Sequence, residues 1–449
     1  MAITDPQYDD WLANLDVQRV LLAEMDYASG TAYVSTAPFV SQPTDSDPNR
    51  VYVDVMQAAV DISQRVDGQV TFGEIELVND GELDNWQARA WRGHEIRLYL
   101  GDPAWARDDY RLFATGINGG ISESRRGVLA FEMDERSTVL DTEIDTGQLP
   151  DEQGPVPLAL GSVFNAPAYL LQPSPYEFEA SFLPCTALTP KDNGNPVAHT
   201  DNLASGSFEL SAGLVGTLTV DIEEQHNTPA LVAAWVAAQY GLTVASVGLP
   251  GYTVGLYYSD AVTGREILDE LCQGVGGYWY LNAVGELVVE QLTVATVADV
   301  TLFEDDIVQD SITLREAQQP WRALALKYRR NYNPLSEVAG AVDDVTAQRL
   351  KNDSRETSAS QSLPDYPLAE RVERSSVLQS QADAITERDR QLALRSVRRD
   401  VWSIDAFLPT ITVGDSSAVE SGPLLGLTGR VISISRSPTL GATNLEVWV

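Results

Sequence analysis

The strongest constraint on this chain is a change of hydrophobic period along its length. From Val17 to about Leu140, short β-prone runs (VQRVLLAEMDY, TAYVSTAPF, VYVDVM, HEIRLYLG, YRLFATGI) alternate with turns. Apolar residues recur at every second position in Ile96, Leu98 and Leu100, the spacing of a strand with one buried face. Ile75 and Leu77 repeat it and break at Asn79-Asp80-Gly81, residue types that accept the left-handed backbone of a tight turn. After Thr228 the period moves towards 3.6. TPALVAAWVAAQYGL, with Thr228 as N-cap, Pro229 in the first turn and Gly241 as the stop, predicts a helix. A second helix follows in GREILDELCQGVGG. There Ile267, Leu268, Leu271 and Val275 sit at helical spacing behind a capping box from Thr263 to Glu266, and Gly276-Gly277 ends the run. A hairpin then pairs Tyr278-Trp279-Tyr280 with Leu287-Val288-Val289 across a turn at Asn282 to Gly285.

The segments between are read from breakers and polarity. Five prolines between residues 147 and 173 forbid a helix interior and predict a crossing between domains. Pro184 to Asn202 reads as a polar, turn-rich stretch, and FELSAGLVGTLTVDIEEQ as strand-like. WRALALKYRRNYNP predicts a strand with Leu324, Leu326 and Tyr328 facing inward. Residues 335–376 read as a surface excursion with a short helix at DVTAQRLKN, and Gln379 to Arg398 as a helix with a thin stripe of Ala382, Ile385 and Leu392. Strands return in VWSIDAFLP, LTGRVISISRS and TNLEVWV, with a turn at Val413-Gly414-Asp415. The expected fold is mainly β with α+β insertions. The expected units are 1–146, an N-terminal β domain; 147–227, a Pro-rich crossing and β segment; 228–320, an α+β middle domain; 321–400, strand, polar insertion and helix; and 401–449, a C-terminal β unit.

Charge narrows the functional classes. Asp and Glu total 65 against 30 Lys and Arg, a net charge of −35 that repels nucleic-acid backbones and anionic lipid. Residues 321–400 depart from this, with 14 basic and 12 acidic residues, or +2 against −37 for the remainder. Such a stretch reads either as a partner or self-association surface or as a solvated helix face. MAITDPQYDDW has no basic region and no apolar core, so no secretory leader is expected. The apolar stretch from Ala230 to Leu242, broken by Gln239 and Gly241, falls short of the ~20 residues of a membrane span. Cys185 and Cys272 read as two buried thiols made in a reducing cytoplasm.

Dedicated catalytic motifs are missing from the sequence. His94, His199 and His226 are scattered, with no HExxH or CxxC, so neither a metal nor a cofactor is expected. The glycines of CQGVGG follow a helix, whereas a phosphate-cradling loop precedes one. Neighbouring carboxylates such as Glu304-Asp305-Asp306 and Glu223-Glu224 are uninformative in so acidic a chain, and no catalytic residue is assigned. The DNGN run from Asp192 to Asn195 could hold a structural cation but lacks the downstream glutamate of an EF-hand. In strand geometry Tyr278 and Tyr280 face one way and Trp279 the other, which favours packing against the preceding helix over carbohydrate stacking.

Three groups of segments, taken in order, resemble the hub or tail-tip proteins of long-tailed bacteriophages and gene-transfer particles. They are VTFGEIELVNDGELDNW with WRGHEIRLYLGD and LFATGING; VPLALGSVFNAPAYLL with GREILDELCQGVGGYWYLNAVGELVVEQL; and VGDSSAV with LTGRVISISRSPTLGATNLEVWV. The resemblance implies a non-enzymatic homotrimer. Two β-barrel-like domains per subunit, one over 1–146 and one completed by 401–449, would form a ring joining a sixfold tail tube to threefold distal parts. The implied partners are the distal tail, tail tube, tape-measure and fibre or spike proteins, with DNA only as passing cargo. Assembly would occur in the host bacterial cytoplasm and the final location would be the distal tail of the virion. The rival readings are a tail-mounted cell-wall or polysaccharide hydrolase, from the surplus of carboxylates and tryptophans, and a carbohydrate-binding adhesin using Trp279.

Overall fold

A computed structural model of the chain describes residues 3–57, 60–66, 70–174, 176–407, 410–438 and 441–449. Met1 and Ala2, and the Leu408-Pro409 end of the VWSIDAFLP run, lie outside the described residues. The molecule is mainly β with helical insertions, as the alternation of periods predicts. Among the described residues no helix is long and apolar enough to cross a membrane.

The period-two runs of the N-terminal part pair into an eight-stranded sheet. Its central strand Val20–Tyr27 is flanked by Gly30–Ser35 and Glu95–Gly101, followed outward by Arg111–Arg125, Gly127–Asp134 and Ile75–Asn79. The sheet curls because the chain after Val51–Asp54 meets both of its sides: Met56 donates its N–H to Ser35 at 3.1 Å, and Gln57 to Glu76 at 3.0 Å. Leu21, Met25, Ile75, Leu77, Ile96, Leu98, Leu100 and Phe131 fill the inside. A helix, α1 (Asp5–Ala13), covers one end with Tyr8 and Trp11, whose rings sit 5.9 and 4.7 Å from that of Trp105.

One N-terminal hairpin leaves this sheet. Ile62–Arg65 and Val70–Phe72 pair with each other, and Ile62–Arg65 adds to the C-terminal sheet along Leu427–Ser437. Ile62 and Val70 still point into the N-terminal core, while Val66 packs on the C-terminal core and donates its N–H to Ile432 at 2.9 Å. The C-terminal sheet is also curled. Val300–Leu302 pairs with Ser416–Val419, and after a single 3₁₀ turn Val308 donates to Asp405 at 2.8 Å beside Arg399–Ala406, so one short segment spans both sides.

Four expectations are corrected. The Pro-rich segment is more than a crossing: Leu158–Pro167 lies within a five-stranded sheet between Leu218–Glu224 and Gly255–Tyr258, and the prolines at 155, 157 and 167 stand before the strand or at its end, where a missing N–H is tolerated. Pro184 to Asn202 holds strand Cys185–Asp192 of that sheet as well as its turns. Residues 335–376 contain helix α4 (Asp344–Lys351), but also Arg355–Ser360 and Glu370–Ser375, which pair with the two edges of Trp321–Tyr328. Those strands carry few large apolar side chains, so ladder hydrogen bonds rather than hydrophobic burial hold them, and composition hides them. The last helix runs over Gln381–Leu394 and buries Ala384, Glu387, Gln391 and Leu392, leaving Ala382 exposed and Ile385 half-buried.

The two central helices match expectation. Thr228 accepts from the Leu231 N–H ahead of Pro229–Gln239, here α2. Helix α3 (Gly264–Gly274) carries the Thr263–Glu266 capping box, with the Thr263 N–H donating to Glu266 at 2.8 Å. The last helix is α5 (Gln381–Leu394). The hairpin after α3 has the expected register, Trp279 opposite Val289 and Tyr280 opposite Val288. Leu324, Leu326 and Tyr328 are buried as predicted.

Candidate functional site

The residues with obvious chemical potential are dispersed and already engaged. His226 Nδ1 lies 2.7 Å from Glu224, and His199 Nδ1 lies 2.9 Å from the Val197 carbonyl, while His94 belongs to a separate loop. Among the described residues, no three or more His, Cys, Asp or Glu side chains cluster as a metal site. Cys185 and Cys272 are buried free thiols. Burial, then the Glu224 and Glu179 carboxylates, pushes the Cys185 thiol up to about 12, so it is a poor nucleophile at neutral pH. The DNGN run is a hairpin turn whose Asp192 carboxylate accepts the N–H groups of Val215 and Gly216 at 2.8 and 2.7 Å.

The aromatic hairpin is a joint between two cores. Trp279 is 3% exposed, packs with α2 and α3 side chains, and donates its indole N–H to Asp269 at 2.7 Å. Its indole therefore has no face available to a sugar. Tyr278 and Tyr280, on the opposite side, stack with centroids 6.3 Å apart against the C-terminal core, and Tyr280 donates to the Val413 carbonyl at 3.0 Å.

A buried polar knot holds α5 against this hairpin. Glu387 is 0% exposed and accepts from Arg390 Nε at 2.8 Å and Nη2 at 2.7 Å, Gln391 at 2.7 Å, Gln291 at 3.1 Å and the Tyr252 hydroxyl at 3.2 Å. Arg390 also donates to the carbonyls of Leu292 at 2.7 Å and Gly276 at 3.2 Å. Gly276, at φ +63°, is the glycine predicted to stop α3, and it is required twice over: a Cβ there would collide with Arg390 and Glu387.

Beyond this knot lies a column of alternating cations and indoles. The Arg374 guanidinium carbon is 4.8 Å from the Trp321 ring centre, Arg395 is 5.4 Å from Trp321 and 5.5 Å from Trp448, and Arg399 is 5.0 Å from Trp448. Burial lowers the pKa of all three arginines, and for Arg395 the charges of Arg374 and Arg399 add to the effect. The sequence marks 321–400 as basic but does not reveal this column, because Trp448 comes from the far terminus and the members share no period.

These features define a multi-sheet β protein with internally braced joints. No protein-family model and no curated protein matches the sequence. Among solved structures, the chain is similar to the 43 kDa tail protein of prophage MuSo2 from Shewanella oneidensis, at 10% identity and a TM-score of 0.47, over 96% of this chain and 98% of that one. It is also similar to the prophage tail protein gp18 from Listeria monocytogenes, at 9% identity and a TM-score of 0.47, over 96% and 94% of the two chains. A chain of the native gene transfer agent virion is 13% identical, with a TM-score of 0.43 over 70% of this chain and 91% of its own.

Proposed function

We propose that this chain is a structural protein of a phage or phage-like tail, acting as the hub at the distal tip. The observation that carries the reading is the interlock of its two curled sheets: in the strand pair Ile62–Arg65 and Val70–Phe72, Ile62 and Val70 fill the N-terminal core while the Ile62–Arg65 backbone extends the C-terminal sheet. A part that passes load between stacked rings must resist rotation of its halves, and a shared ladder of hydrogen bonds does that better than a flexible linker. The order of the quoted segments supports the same reading. In it the two curled sheets are the barrel-like domains of each subunit, three subunits form the ring, and the surplus of acids lines a channel that lets DNA pass without gripping phosphates. Its neighbours would be the tube, distal tail, tape-measure and fibre or spike proteins.

The test is gold labelling of the chain on intact particles viewed by electron microscopy. Label at the distal end of the tail, at a threefold position, is expected. Label absent from particles, or spread along the tube, would refute the reading. One observation favours the hydrolase rival, a cavity of ≈ 530 Å³ with Glu270 and Asp353 in its wall. Glu270 there accepts from Tyr258 at 2.7 Å and Arg330 at 3.3 Å. Loss of turbidity in a peptidoglycan suspension that is abolished by Glu270→Gln would favour that rival.

A further inference from the structure

Acids outnumber bases 65 to 30 in this chain, so an arginine without a carboxylate beside it is not short of acids elsewhere on the molecule. Around the column, Arg398 pairs with Asp400 at 2.7 Å, Arg371 with Glu356 at 3.2 Å and Arg388 with Asp389 at 2.7 Å. The three column arginines form no ion pair among the described residues, and they stand side by side. Arg395 donates to Gln318 and Arg399 to the Leu394 carbonyl at 3.2 Å, while the Arg374 guanidinium has no hydrogen-bond or ion-pair partner among the described residues. Glu316 is the acid whose charge reaches Arg395, without forming an ion pair. A guanidinium held over an indole face by a cation–π contact still has N–H groups left to donate, so the column presents donors to an approaching carboxylate.

Resting on the hub reading above, we propose that the Arg374, Arg395 and Arg399 column is the docking surface for an acidic face of a second copy of this chain. Charge complementarity selects that occupant, because the chain outside 321–400 carries −37. Overall repulsion between two such chains is screened beyond ~8 Å at physiological salt, so the contact is decided by local charges. Strand Thr313–Gln318 borders the column through Gln318, is the exposed last strand in its sheet, and leaves backbone groups open beside it. A cationic column cannot match itself, so the contact joins unlike faces of two copies. Such a head-to-tail contact closes into a ring when its rotation allows, rather than into a two-fold dimer.

The test is sedimentation equilibrium over a concentration series at physiological salt. The wild type is expected to form a ring-sized oligomer, and Arg374→Gln combined with Arg399→Gln to associate at least about tenfold more weakly. Arg398→Gln, which removes a charge already matched by Asp400, is expected to leave association unchanged. If the double variant misfolds, phenylglyoxal labelling of the wild type replaces it: Arg374 and Arg399 are expected to become protected as the oligomer forms. A wild type that stays monomeric, a closed dimer, an oligomer that the double variant forms equally well, or arginines labelled equally in monomer and oligomer would each overturn the proposal. Gold label at the tail tip alongside any of these results would leave the hub reading standing.

Discussion

Glu179, at the end of strand Tyr176–Glu179, is a carboxyl group set where charge is disfavoured. It is buried, opposite Ser207 on the neighbouring strand, and one of its oxygens has no hydrogen-bond partner among the described residues. Burial, reinforced by the Glu177 carboxylate, raises its pKa from the ordinary 4.5 to about 7. Because the folded state holds this proton more tightly than the unfolded state, the associated stability is fully present below about 4.5 and is lost as pH rises through about 7. The loss is on the order of 3 kcal/mol. Glu179→Gln is therefore expected to raise the urea midpoint at pH 8 while changing it little at pH 4. Equal shifts at both pH values would show that the side chain acts through packing and not through its charge.

At the scale of elements, α5 shows how a helix can be buried through polar groups. Arg390→Ala removes the cation facing Glu387 and frees the Leu292 and Gly276 carbonyls, leaving a fully buried carboxylate with amide and hydroxyl donors alone. The expected cost is about 3–5 kcal/mol, with Arg390→Lys recovering only part of it because an ammonium cannot reproduce the fork. Urea denaturation followed by tryptophan fluorescence measures both. This helix also shows where sequence reading fails. Capping boxes, prolines at helix starts, glycine stops and period-two runs are local signals, and they placed α2, α3, the aromatic hairpin and most N-terminal strands. The stripe through Ala382, Ile385 and Leu392 contains only Leu392 of the buried face, because Glu387 and Gln391 are polar and are buried by partners on distant segments, at Tyr252 and Gln291. Arg355–Ser360 and Glu370–Ser375 are hidden in the sequence for a related reason, since their ladder partner Trp321–Tyr328 supplies what their own composition lacks. The arginine column requires three separate segments and the chain terminus at once, which no window of sequence contains.

At the scale of the whole molecule, the interlock makes a claim about cooperativity. Besides the shared pair Ile62–Arg65 and Val70–Phe72, the N-terminal sheet is tied to the aromatic hairpin by the Thr115 N–H, which donates to the Ala283 carbonyl at 2.7 Å, and that hairpin carries Tyr278 and Tyr280 into the C-terminal core. Both curled sheets are thus expected to unfold in one calorimetric transition, although a chain of 449 residues would ordinarily show several. Val66→Pro removes the N–H that reaches the Ile432 carbonyl at the far end of the shared ladder. It lies outside the interior of either curled sheet's own pairing, so its first effect falls on the coupling. The variant is expected to split the transition in two, the lower one accompanied by proteolytic cleavage near the hairpin, while circular dichroism at low temperature stays unchanged. A wild type that already melts in two separated steps would mean that the hairpin joins the sheets in space without joining them energetically, so that force on one sheet would not be resisted by the other.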